Sequence, residues 1–171
     1  MPFTLVLGGA RSGKSAHAQA QAEARAAETG GRLVMVATAQ AFDSEMVERI
    51  DRHRADRGEG WTTVEAPMDL ARALDALGPE DVVVVDCLTL WLSNLMLADR
   101  DLPAAASELV ASVARFRGTL WLVSNEVGFG IVPDNALGRR FRDEAGRLHQ
   151  VLAQAADGVT LVVAGLTLRL K

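Results

Sequence analysis

The sequence predicts an α/β fold, a mostly parallel sheet flanked by helices, and three observations carry that prediction. Short β-branched apolar runs alternate with helical patterns along the whole chain, as strands buried on both faces of a sheet require. The first run, Phe3-Thr4-Leu5-Val6-Leu7, enters the glycine-rich stretch Gly8-Gly9-Ala10-Arg11-Ser12-Gly13-Lys14-Ser15, and an alanine-rich segment leaves it. Strand, loop and helix in that order are the context in which G-x-x-x-x-G-K-[ST] binds phosphate. With 171 residues and 49% hydrophobic content, the chain can bury a full core, and residues 1–171 are read as one domain.

Strands are expected at 3–7, 32–37, 82–86, 119–124 and 159–164, each rich in β-branched residues and flanked by Gly, Asp or Pro. A last run, Thr167-Leu168-Arg169-Leu170, can return antiparallel after a turn at Gly165 and make a mixed edge. Ser15 to Arg25 is a strong helix former. Residues 42–81 break the α/β rhythm. Ser44 to Arg54 reads there as an amphipathic helix, with Phe42, Met46 and Ile50 spaced by four, followed by a short extended piece from Trp61 to Glu65 and a helix beginning near Asp69. Leu88 to Leu97 is apolar nearly all round, so it must be buried in the core, under a loop or against another subunit. Pro103 to Phe116 and Asp134 to Ala156 complete the helices.

A net charge of −4 gives no general reason to expect nucleic acid, so any anion site is local. The single cysteine, Cys87, excludes an internal disulfide, follows an all-valine run as a small buried residue would, and suits a reducing compartment. No apolar run reaches membrane-spanning length and the N-terminus does not resemble a signal peptide. The expectation is a soluble, cytoplasmic protein.

The phosphate loop sets the chemistry. Its glycines let successive N–H groups point at phosphate, Lys14 reaches the terminal phosphates, and the Ser15 hydroxyl can sit on Mg²⁺. Asp86, closing the run Val82-Val83-Val84-Val85, is placed to hold the same ion directly or through water. His53 stands among Arg49, Arg52, Arg54 and Arg57, which oppose its protonation and attract phosphate, the conditions for a neutral imidazole to attack phosphorus. Spacing alone favours a solvated basic helix over that role, and His17 and His149 have weaker arguments still. Glu126, in Asn125-Glu126-Val127-Gly128, can be a base, a hydrogen-bonding anchor or plain loop structure.

Taken together, the loop at Gly8–Ser15, Ala37-Thr38-Ala39-Gln40, Glu45-Met46 with Arg49-Ile50 and His53, Trp61 with Glu65, and Ser124-Asn125-Glu126-Val127-Gly128-Phe129-Gly130-Ile131-Val132-Pro133 resemble the bifunctional adenosylcobinamide kinase and adenosylcobinamide-phosphate guanylyltransferase of cobalamin synthesis. Matches continue through Phe141-Arg142-Asp143 and Gly146-Arg147, so the resemblance spans essentially the whole chain. It implies a RecA-like phosphate-loop fold and a homotrimer. It implies that adenosylcobinamide is phosphorylated with ATP or GTP, and that His53 is then guanylylated by GTP and passes GMP to adenosylcobinamide phosphate. Lys14 and Ser15 would hold phosphate and Mg²⁺. Gly8, Gly9, Ala10, Arg11, Ser12, Gly13, Thr38, Ala39, Gln40, Arg54, Ala55, Asp56, Arg57, Glu65 and Asp86 match the family's nucleotide-binding positions. Asp86 stands where the best-known members carry glutamate, so the shorter acid implies a bridging water. Outside this resemblance, the loop alone also fits a plain small-molecule kinase or a nucleotide-dependent switch.

Overall fold

The structure, a computed structural model, describes residues 3–40 and 60–171. Among the described residues seven strands form one sheet: β1 (Phe3–Gly8), β2 (Arg32–Ala37), β3 (Thr62–Glu65), β4 (Asp81–Asp86), β5 (Thr119–Asn125), β6 (Gly158–Val163) and β7 (Leu166–Arg169), in the spatial order β3-β2-β4-β5-β1-β6-β7. Every pairing is parallel except β6 with β7. The mixed edge follows from a hairpin turn in which Ala164 and Gly165 both take positive φ, 51° and 77°, the conformation that matches strand twist in a two-residue connection. The helical pattern expected between Ser44 and Arg54 lies outside the described residues. The extended piece that follows it is β3, which pairs with β2 from Val34↔Thr62 to Ala37↔Glu65 and so lengthens the parallel sheet.

The strands' alternation divides the core into two layers. Val6, Met35, Val82, Val84, Val123 and Val162 face α1 (Lys14–Thr29), whose buried Ala18, Ala22 and Ala26 recur every four residues. A stripe of methyl groups lets the helix lie close to the sheet. Leu5, Leu7, Val34, Val36, Val83, Val85, Leu120 and Leu122 face the other way, toward α2 (Leu70–Asp75), α3 (Leu88–Leu97), α4 (Leu102–Arg115) and α5 (Ala136–Ala155). The all-apolar α3 is buried within the chain. Leu88, Trp91, Leu92, Leu95 and Met96 enter the larger cluster, and Trp91 Nε1 donates to Met68 O at 2.8 Å. Local signals set the helix ends: Gly30, at φ 70°, closes α1, Asp101 caps α4 by accepting from Ala104 N, and Asn135 caps α5 by accepting from Gly138 N.

Leu122 is fully buried at the centre of β5. Leu122→Ala is expected to cost about 3 kcal/mol of unfolding free energy, because a cavity is left among strands that relax little. Urea denaturation checks this; a loss below about 1 kcal/mol would mean the sheet can collapse into the space.

Candidate functional site

In an open parallel sheet the loops that follow the strands converge at the carboxyl edge, which is where ligands bind. Three ladders here run one residue beyond their strands at that edge: Glu126 N donates to Gly8 O at 2.9 Å, Thr38 N to Asp86 O at 3.3 Å and Ala66 N to Ala37 O at 2.8 Å. The glycine loop after β1, Thr38–Gln40 after β2, Glu65 at the end of β3, Asp86 at the end of β4 and Asn125–Glu126 after β5 therefore share one rim.

The loop is built to stay narrow. Ser12 N donates to Gly9 O at 3.2 Å, and Gly13, at φ 95°, delivers the chain into α1. A Cβ on Gly8 would run into the Ser12 hydroxyl and lie 2.6 Å from Val162 O, so only glycine fits where β1 becomes loop. The β6–β7 hairpin supports the loop from the side: Gly165 N donates to Ser12 O at 2.8 Å, and a Cβ on Gly13 would stand 3.3 Å from Gly165 Cα. Lys14 is buried and its Nζ donates to Gly9 O at 3.2 Å, so the ammonium curls back across the loop. Ala10 and Arg11 are exposed on the loop's outer side, and Arg11 takes φ 56°.

Lys14 and Asp86 both act on the Cys87 thiol. Burial pushes the Cys87 thiol up, the neighbouring Asp86 carboxylate adds to the rise, and the Lys14 ammonium opposes it. The thiol thus lies in the field of both charges. The turn carrying Asp86 is held by Thr38, whose hydroxyl donates to Cys87 O at 2.7 Å and accepts from Cys87 N at 2.9 Å. Asn94 Nδ2 donates to Thr38 O at 2.9 Å and to Pro67 O at 2.9 Å. Thr38 is fully buried; its side chain braces the acidic turn, while Ala39 and Gln40 beyond it are partly exposed. Glu65 is exposed on the edge strand β3, two strands from Asp86. His53, Arg54, Ala55, Asp56 and Arg57 lie outside the described residues.

These groups suit a nucleotide's phosphates. The cradle at Gly8 and Gly9 leaves room for close backbone approach, nothing standing within 4 Å of where a Gly9 Cβ would be, and the buried Ser12 Oγ lacks a hydrogen-bond partner among the described residues. Ser15 and Asp86 offer hard oxygens of the kind a Mg²⁺ ion takes.

Sequence reasoning passed over His149. This buried residue on α5 has its Nε2 2.7 Å from Ser124 Oγ and its Nδ1 3.7 Å from Glu126 Oε2. Burial pushes its pKa down, against the upward pull of Glu126. The one available signal was its place on the helix's inner face with Ala145, Leu148 and Leu152, which marks burial and not a partner. Glu126 Oε1 accepts from Gly128 N at 2.5 Å, within its own loop. Beyond it, Phe129 and Ile131 are exposed.

Comparison with known proteins agrees with this geometry. The chain is 47% identical over 170 residues to the bifunctional adenosylcobalamin biosynthesis protein CobP of Pseudomonas aeruginosa, covering 98% of this chain and 96% of that protein. It is 40% identical over 183 residues to the bifunctional adenosylcobalamin biosynthesis protein CobU of Escherichia coli, covering 98% of each. A solved ATPase domain is similar in fold, with a TM-score of 0.54 at 14% identity over 94% of this chain and 68% of that one. The CobU family, described as cobinamide kinase / cobinamide phosphate guanyltransferase, matches residues 4–170. With a phosphate loop at the carboxyl edge of a mostly parallel sheet and that match along nearly its full length, the chain belongs to the cobinamide kinase / cobinamide phosphate guanyltransferase family.

Proposed function

We propose that this chain is a cytoplasmic enzyme of cobalamin biosynthesis, acting in two steps as one nucleotide-binding domain spanning residues 1–171. In the first step it phosphorylates the side-chain hydroxyl of adenosylcobinamide with ATP or GTP. In the second, His53 attacks the α-phosphorus of GTP, pyrophosphate leaves, and the histidine-bound GMP passes to adenosylcobinamide phosphate to give adenosylcobinamide-GDP. The observation that carries the reading is the buried Lys14 ammonium folded back onto Gly9 O in a glycine cradle, on the sheet edge that also carries Asp86, in a chain matched by the family from residue 4 to residue 170.

Both steps ask for in-line placement and charge neutralisation more than for unusual groups. The Gly8–Ser15 loop holds the donor's terminal phosphates in the kinase step and the pyrophosphate end of GTP in the other. Ser15 and Asp86 would hold a Mg²⁺ ion, which would supply neutralisation of charge on the phosphate oxygens. Thr38, Ala39, Gln40, Glu65 and residues 54–57 complete the nucleotide contacts, Thr38 by positioning the Asp86–Cys87 turn. A homotrimer completes the reading. Leu166, Leu168 and Leu170 are exposed along the terminal edge of the sheet, the kind of surface a subunit contact covers.

GTP labelled at the α-phosphorus tests the covalent step. The wild type is expected to take up label that is stable to base and released by acid, as a phosphoramidate is, and His53→Ala to take up none. Label persisting in His53→Ala removes the assigned nucleophile. A wild type that takes up no label while phosphorylating adenosylcobinamide is a kinase alone.

A further inference from the structure

The strand order places β5 between β1, which carries the phosphate loop, and β4, which carries Asp86. A donor phosphate held by the loop of β1, with Asp86 of β4 on its other side, would therefore lie over the end of β5. That end is Ser124-Asn125-Glu126, and a single buried ring on α5 engages the residues on either side of Asn125. Ser124 has no exposed surface, so it is not a nucleophile toward substrate.

The protonation pattern follows from the partners. Nε2 is hydrogen-bonded to the Ser124 hydroxyl at 2.7 Å and Nδ1 faces the Glu126 carboxylate at 3.7 Å, so the tautomer with the proton on Nδ1 is the one that suits both partners, because a carboxylate only accepts. Burial keeps the imidazole neutral. Glu126 in turn closes the turn at Gly128, while its backbone N–H is bonded to Gly8 O at the root of the phosphate loop. Asn125, between the two, donates from Nδ2 to Thr89 Oγ1 at 2.8 Å, on the first turn of the helix that follows Asp86.

We propose that His149 is a positioning residue for phosphoryl transfer: by tying Ser124 to Glu126 it fixes the end of β5 at Asn125 and Glu126, under the place where the donor's terminal phosphate meets the acceptor hydroxyl. This role rests on the kinase reading given above. It acts on the geometry of the reacting groups and not on the nucleotide's grip, which belongs to the loop at Gly8–Ser15.

Two replacements separate positioning from space-filling. Asparagine at 149 can present an N–H where Nδ1 was, toward Glu126; glutamine can present an acceptor where Nε2 was, toward Ser124, and is nearer to histidine in volume. Phosphoryl transfer from ATP to adenosylcobinamide is measured at steady state for the full-length wild type, His149→Asn and His149→Gln. Each variant keeps one side of the tie and loses the other, so the expected result is a kcat lower by about 10- to 100-fold in both, with a KM for ATP within about twofold of wild type. A kcat for His149→Gln close to that of wild type, as space-filling alone would give, or a loss confined to KM, overturns the positioning role. If the substitutions at 149 unfold the chain, Ser124→Ala, Glu126→Ala and their double variant replace them: losses in kcat that do not multiply support the shared ring, and losses that multiply overturn it. A wild type that binds ATP but transfers no phosphoryl group to adenosylcobinamide overturns the kinase reading itself, and this role with it.

Discussion

Replacing Lys14 with alanine is expected to lower both phosphoryl transfer to adenosylcobinamide and uptake of label from α-labelled GTP by roughly 10²- to 10³-fold, the cost of removing one preorganised charge from a water-poor site. The ammonium is buried, bonded to Gly9 O and placed to oppose the rise in the Cys87 thiol's pKa, so its charge works in surroundings that screen it little. Lys14→Arg is expected to rescue poorly. A planar fork needs several acceptors in one plane, whereas the lysine presents a compact charge beneath a narrow loop. Steady-state rates for both steps, with thermal melting to show that the variants fold, check this. A Lys14→Ala protein with near-normal rates would remove the loop from the chemistry.

The second large effect is on stability. Asp81 is fully buried where β4 begins; it accepts from Arg32 Nε at 2.7 Å, from Arg32 Nη2 at 2.9 Å and from Gly78 N at 2.8 Å. The Arg32 hydrogen bonds hold its carboxyl below the usual range against the opposing effect of burial, and the Gly78 amide adds to them. Asp81→Ala is expected to cost about 2 to 3 kcal/mol at neutral pH. Arg32 is half exposed and can turn to water, which keeps the loss below that of a fully enclosed pair. Since the folded carboxyl is the stronger acid, its contribution is complete above the ordinary aspartate pKa of about 4 and is lost as acid protonates it below that value. Urea titrations of wild type and variant should therefore differ by a constant amount from about pH 5 to 7 and converge in stronger acid. A difference that persists unchanged at about pH 2 would show that packing, and not the charge, is responsible.

Much of the fold was legible because its signals are local. The valine run expected at 82–86 is β4 at Asp81–Asp86, and the apolar helix expected at Leu88–Leu97 has those bounds. The hairpin return after Gly165 was visible as a turn residue between two apolar runs. By contrast, the piece at Trp61–Glu65 was recognised as extended but not as a strand of the sheet, because a parallel partner such as β2 leaves no mark in the neighbouring sequence. The choice among core, loop and subunit contact for α3 was open for a related reason: an all-apolar helix records that it is buried, not what buries it.

The candidate site divides in the same way. Glycines, a lysine and a hydroxyl at set spacing announce the phosphate loop, since backbone freedom, charge and a hard oxygen are properties of residue types; the sequence by itself determined that loop, the strand before it and the helix after it. Only the tertiary structure decided that Thr38 commits its hydroxyl to the Cys87 backbone 49 residues away, that Gly165 supports Ser12, and that His149 reaches Ser124 and Glu126 from a different element. Those contacts join residues far apart in the chain, through side chains whose chemistry is equally at home in a loop, a cap or a surface. Their meaning comes from the sheet, whose strand order brings the loop of β1, the acid of β4 and the end of β5 to one rim.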